Sequence, residues 1–307
     1  MKYKFDQIVQ DLFDSYRTIG GINHIDGVNL PSKQSVAEIT QDLLHLMFPG
    51  FFDPGEFHEK NCQQNILRRL NSLSKTLKVE TRKSLQYAAP KGARTRDLEE
   101  QADELILKFF ASLPAVRKML KHDVIAAYEG DPAAVSLEEI ILAYPYIEAI
   151  AVQRLAHVLH REGLPLLPRM MTEWAHSRTG IDIHPGTSVG MNFFIDHGTG
   201  VVIGETALIG NNVKIYQGVT LGAKSFKKDE TGRIVKGGRR HPTIEDDVTI
   251  YSNATILGGE TVVGAGTTIG GNVFLVESVP PQSIVTQEGQ KLVIKKKNQG
   301  TKVDFQI

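Results

Sequence analysis

The chain has 307 residues, 41% of them apolar, enough for one large core or two of ordinary size. Lys plus Arg and Asp plus Glu number 35 each, a balance that gives no general attraction to nucleic acid or to an anionic membrane surface. Cys62 is the single cysteine, which excludes an intramolecular disulfide, and no apolar run reaches signal-peptide or membrane-span length, so a soluble cytoplasmic protein is expected.

The first half has helical periodicity. Phe5, Ile8, Val9, Leu12, Phe13 and Tyr16 fall on one stripe of an amphipathic helix. Ser35 to Leu46 reads as a second helix that ends before Phe48-Pro49-Gly50, and Asn65 to Leu77 and Leu98 to Phe110 as two more. Ser136 with Glu139 fits a capping box, in which each side chain satisfies a free backbone N–H at the helix start. The helix it opens is interrupted at Pro145, and the pattern resumes from Tyr146 to about Arg161. A last helix is expected from about Pro165 to Arg178, stopped by Gly180.

After Gly180 the period becomes six. Ile203, Ile209, Ile215 and Leu221 are aliphatic at that spacing, and Ala207, Val213 and Val219 sit four residues after the first three. The series returns at Ile244, Ile250 and Ile256, slips by one, and continues at Leu257, Val263, Ile269 and Leu275. Ile183, Val189 and Ile195 form an earlier run, out of phase by two with Ile203. Hexads with one aliphatic and one small residue are the mark of a parallel β-helix, whose stacked coils bury the aliphatic column. A polar insertion from Ala223 to Arg239 breaks the hexads. The expected organisation is a helical domain over 1–180, a β-helix over 181–281 and a weakly ordered tail over 282–307.

Polar residues of catalytic type cluster in the first hexads: Asp182-Ile183-His184-Pro185, then Asp196-His197-Gly198-Thr199-Gly200, Gly204-Glu205-Thr206 and later Arg240-His241-Pro242. Acyl transfer to a hydroxyl needs a general base, which histidine supplies, and a carboxylate to orient it. An amino-acid acceptor also needs carboxylates for its ammonium group and an arginine for its carboxylate.

These motifs, with Asp131-Pro132-Ala133, Gln153 to His160, Gln217 to Gly222 and Val279-Pro280-Pro281, resemble the serine O-acetyltransferases, members of the hexapeptide acyltransferases. The resemblance runs from Asp131 to about Pro281 and implies an all-α N-terminal domain before a left-handed parallel β-helix with one long loop insertion. It implies transfer of acetyl from acetyl-CoA to the L-serine hydroxyl, the first step of cysteine biosynthesis from serine, without a metal. By the same resemblance His197 is the general base and Asp182 its orienting partner. Asp131 and Asp196 hold the substrate ammonium, and Arg240, with His241 beside it, clamps the substrate carboxylate. Gly222, Ala223, Ser252 and Thr268 line the CoA groove, which lies between subunits and so implies a homotrimer; pairing of trimers into hexamers is left open. L-cysteine is the implied feedback inhibitor, and the C-terminal Ile307 the implied contact with cysteine synthase.

Three other readings compete. A sugar acetyltransferase would share the histidine base, but Asp131 and Asp196 opposite Arg240 suit a zwitterionic acceptor. A zinc enzyme would need His184, His197 and His241 as ligands, and no two of them show the short spacing of paired ligands. A non-catalytic partner of another enzyme would lack the base, and His197 is present.

Overall fold

The computed structural model describes residues 2–53, 55, 57–90, 94–225, 229–235 and 237–287. Helices come first: α1 (Lys2–Thr18), α2 (Lys33–Met47), α3 (Glu59–Ala88), α4 (Thr95–Gly130), α5 (Leu137–Ala143), α6 (Pro145–Arg161) and α7 (Leu167–Thr179). Ser32 caps α2 by accepting from the Ser35 amide, and Val36, Ile39, Leu43 and Met47 form its buried face. α3 is longer than its periodicity suggests, and α4 runs straight through Pro114. Burial of Leu105, Phe109, Leu113, Val116 and Leu120 on one face holds α4 together where a proline would otherwise end it. That continuation matters, because it carries Asp123 and delivers Asp131 as the residue that closes the helix.

The capping box at Ser136 forms, shifted by one donor. Ser136 Oγ accepts from Glu139 N at 3.1 Å, while Glu139 Oε2 accepts from Val135 N at 2.7 Å. Pro145 restarts the chain as the first residue of α6, where its missing N–H costs nothing. Gly180 ends α7 at φ +69, the left-handed conformation that glycine tolerates. The apolar stripe of α1 behaves differently from the others: Phe5, Ile8, Val9, Leu12, Phe13 and Tyr16 all stand exposed.

Short strands then wind as a parallel β-helix of about five coils. The first face stacks β1 (Asp182–Ile183), β4 (Val202–Ile203), β7 (Thr220–Gly222), β10 (Thr255–Leu257) and β13 (Phe274–Leu275). The second stacks β2 (Ser188–Val189), β5 (Leu208–Ile209), β8 (Thr243–Ile244) and β11 (Val262–Val263). The third stacks β3 (Phe194–Asp196), β6 (Lys214–Tyr216), β9 (Thr249–Ile250), β12 (Thr268–Ile269) and β14 (Ile284–Val285). Register places like residues over one another, so Ile183, Ile203, Leu221, Ile256 and Leu275 form one column. Each fully buried aliphatic of this kind contributes about 1.5–3 kcal/mol of transfer energy. At one corner Asn192, Asn212 and Asp247 take positive φ and link coil to coil, Asn192 donating to Asn212 at 2.7 Å and Asn212 to Asp247 at 2.9 Å.

The irregularities of the hexads are corners. The two extra residues between Ile195 and Ile203 widen the turn at His197, Gly198 and Gly200, all at positive φ. The slip near Ile256 has a simple origin: Ile256 is the inward residue, opposite Leu221 and Leu275, and the extra residue is taken up at the corner by Leu257 and Gly258. Leu257 is therefore not part of the inward column.

A buried ion pair fastens the helices to the first coil. Arg154 on α6 donates to both carboxylate oxygens of Asp123 on α4, at 2.7 and 2.8 Å, and to the carbonyls of Val189 and Gly190 at 3.0 and 2.7 Å. Asp123 also accepts from the Phe193 amide at 3.2 Å. Burial pushes the Asp123 carboxyl up, and the Arg154 fork and the Phe193 amide pull it back.

Candidate active site

Three of the residues singled out in the sequence meet where the end of α4 docks on the third face. Asp131 follows α4 directly; its Oδ1 accepts from the Ala133 amide at 2.8 Å and its Oδ2 from the Tyr144 hydroxyl at 2.5 Å. The Tyr144 hydrogen bond, with help from the Ala133 amide, Lys214 and His197, holds the Asp131 carboxyl below the ordinary carboxylate range. The same bond pushes the Tyr144 hydroxyl up to about 12, so it stays a donor. Asp196 ends β3, and its side chain is only 13% exposed. It lies 3.8 Å from His197 Nε2 and 3.8 Å from Lys214 Nζ. His197 sits at φ +59 in the widened corner with its ring 71% exposed.

Lys214 and Tyr144 belong to this cluster and carry no sequence signal that singles them out. Lys214 occupies an outward position beside inward Ile215, and outward hexad positions have no pattern of their own. Its ammonium group donates to the Gly130 carbonyl at 2.6 Å.

Arg240 and His241 form a second cluster on a different corner, between the first and second faces, where the insertion leaves and returns. The Arg240 guanidinium pairs with Glu205 of the coil below, and this bond holds the Glu205 carboxyl below its ordinary range. His241 Nδ1 accepts from the Thr206 amide at 3.1 Å and lies 2.9 Å from the Thr206 hydroxyl, and a Cβ on Gly204 would strike its ring. Burial lowers the His241 imidazole, and lowers His184 on the same corner to about 4, so both rings are neutral at pH 7. Glu205 was visible in the Gly204-Glu205-Thr206 motif but not its pairing with Arg240.

Asp182 lies on β1, 3.6 Å from Arg169 of α7, and among the described residues no hydrogen bond or ion pair joins it to His197. Its carboxylate oxygen is also within 4.8 Å of ligand atoms of Glu173 and His176. His184 and His241 share a corner that His197 does not. The residues proposed to line the CoA groove are likewise divided: Gly222 and Ala223 leave β7 at the corner of Arg240, Ser252 follows β9 at the corner of His197, and Thr268 opens β12. A Cβ on Gly222 would come within 2.8 Å of Leu257.

No family model matches the chain. It is 49% identical over 263 residues to a plasmid-borne serine acetyltransferase of Synechococcus elongatus, covering 84% of this chain and 82% of that one. It is 45% identical over 183 residues to the serine acetyltransferase of Bacillus licheniformis, covering 57% of this chain and 80% of that one. Among solved structures it resembles serine acetyltransferase isoform 3 of Entamoeba histolytica in complex with cysteine, with a TM-score of 0.72 and 37% identity over 97% of both chains. It also resembles the Neisseria gonorrhoeae serine acetyltransferase in complex with serine, with a TM-score of 0.53 and 29% identity over 86% of this chain and 98% of that one. The match to the Synechococcus protein runs through both the helical segment and the β-helix, and with it the chain belongs to the serine acetyltransferases.

Proposed function

We propose that the chain transfers the acetyl group of acetyl-CoA to the hydroxyl of L-serine, giving O-acetyl-L-serine and CoA, at a site completed by a second copy of the chain. The observation that carries this reading is the convergence of Asp131, Asp196 and His197 on one corner, in a chain of this family. Asp131 and Asp196 receive the substrate ammonium, which leaves the serine hydroxyl beside His197. His197 takes the hydroxyl proton as oxygen attacks the thioester carbonyl. The C–O bond forms, the C–S bond breaks, and the leaving thiolate recovers the proton from His197. Arg240 offers a planar fork to the substrate carboxylate, with neutral His241 as a neighbouring donor. Asp182 is the proposed orienting partner of the base, a role that requires its carboxylate to turn from Arg169 toward His197.

Arg240 lies on another corner of its own chain than His197, so the clamp and the base come together only if neighbouring copies present opposite corners to each other. Such heterologous contacts close into a ring, a trimer in this proposal, which would bring Gly222 and Ala223 of one copy toward Ser252 and Thr268 of the next, forming the CoA groove. Cysteine differs from serine by sulfur for oxygen and takes the same ammonium and carboxylate contacts, which makes it a competitive inhibitor. The division into 1–180, 181–281 and 282–307, with β14 (Ile284–Val285) carrying the coil past 281 into the segment read as tail, and a cytoplasmic location, belong to the same proposal; among the described residues no helix is long and apolar enough to cross a membrane. Ile307, the proposed contact with cysteine synthase, lies outside the described residues.

Mixing tests the shared site. Chains with His197→Ala and chains with Arg240→Ala are each expected to be nearly inactive alone. Co-assembled in equal amounts, they should regain roughly a quarter of the wild-type rate, because random mixing leaves about one interface site in four with both groups intact. No recovery in co-assembled material would contradict the shared site.

A further inference from the structure

We propose that Lys214 is a specificity-determining residue of the acceptor subsite: its ammonium group is a resident cation that cancels one of the two carboxylate charges, so that the subsite is matched to a zwitterion rather than to a cation. The inference rests on the assignment of Asp131 and Asp196 to the substrate ammonium.

The position of the ammonium group is tightly fixed. Lys214 Nζ donates to the carbonyl of Gly130, the last residue of α4, at 2.6 Å, satisfying one of the carbonyls that a helix leaves unpaired at its C-terminus. It lies 3.8 Å from Asp196 Oδ2 and over the rings of Phe194 at 5.1 Å and Tyr216 at 4.7 Å. Phe194 in turn packs against Gly130, where a Cβ would come within 2.8 Å of its ring. Tyr216 stacks on Tyr251 of the next coil, with ring centroids 5.0 Å apart. A side chain with four partners is a built feature of the site, not a solvated lysine.

The charge count gives it meaning. Asp131 and Asp196 offer two negative charges, and Lys214 leaves one in excess. Tyr144 and His197 also face these carboxylates. One substrate ammonium then balances the subsite, and the substrate's own carboxylate is not repelled from it. Without Lys214 the excess is two. That field would favour an acceptor with net positive charge and disfavour a zwitterion.

The test compares L-serine with L-serinamide, which keeps the ammonium and hydroxyl groups but carries a net positive charge. Lys214→Met is expected to reduce kcat/KM for L-serine about tenfold, the scale of one charge-assisted interaction, and to change that for L-serinamide much less. The preference for serine over serinamide therefore falls about tenfold. KM for acetyl-CoA stays within about twofold of wild type, and Lys214→Arg, which keeps the charge, restores most of the preference. Equal losses for both acceptors, or an unchanged preference, would overturn the proposal, since a purely structural role weakens both alike. Asp131→Asn serves as the control: it should weaken both acceptors at least about tenfold. If it weakens neither, the ammonium assignment itself fails, whatever Lys214 does.

Discussion

Replacing His197 with alanine is expected to lower turnover by about 10²- to 10⁴-fold, the range associated with a positioned general base. The ring is exposed in the widened corner and lies 3.8 Å from a largely buried Asp196, so its loss removes the base without opening a cavity. KM for acetyl-CoA should therefore change little, and the melting temperature should not move. Steady-state release of free CoA thiol at saturating serine is the measurement. A variant with near-full turnover would remove His197 from the role of base. Asp182→Asn is expected to lose less, because Asp182 orients the base and does not itself transfer the proton.

The second large effect is on stability. Arg154 and Asp123 are buried to 3% and 0% side-chain exposure, and each satisfies the other while Arg154 also ties down the Val189 and Gly190 carbonyls. Arg154→Met leaves Asp123 buried without its partner, which costs about 3–5 kcal/mol when a pair of this kind is broken. For a chain of this size the apparent melting temperature should fall by roughly 10 °C at fixed protein concentration. Adding Asp123→Leu should recover much of the loss, since two apolar groups strand no charge. A single variant that melts with the wild type would show that the pair carries no stability. The pair also locates the C-terminal end of α4, and with it Asp131, against the first coil.

How much of this was legible in the sequence depended on whether a pattern repeats. The inward columns of the three faces were readable because Ile203, Ile209, Ile215 and Leu221 recur at a fixed spacing and burial of every one is required for coils to stack. Breaks in that spacing fell where the proposed functional residues are: the widened corner at His197 and the insertion before Arg240. The slip after Ile256 was misplaced by one residue, because an extra corner residue and a shifted column look alike in sequence, and Leu257 is as apolar as Ile256. Helices α3 and α4 were recognised but cut short, because the length of α4 beyond Phe110 depends on the tertiary packing that carries it through Pro114. The proposed active-site residues were assigned through family motifs rather than through periodicity. Asp131 and Asp196 are far apart in sequence, and only the docking of α4 on the third face brings them together. Lys214 and Tyr144 were missed for the same reason: each matters through what it touches, at a position where many residue types would fold equally well.

The central claim is the reaction itself. Acetyl-CoA is supplied to the wild-type protein with L-serine, L-threonine, glycerol or glucosamine as acceptor, and CoA release is followed together with the mass of the product. The account predicts rapid CoA release with L-serine, matched by O-acetyl-L-serine, and far slower release with the other three. Faster acetylation of glucosamine or glycerol than of L-serine would contradict it.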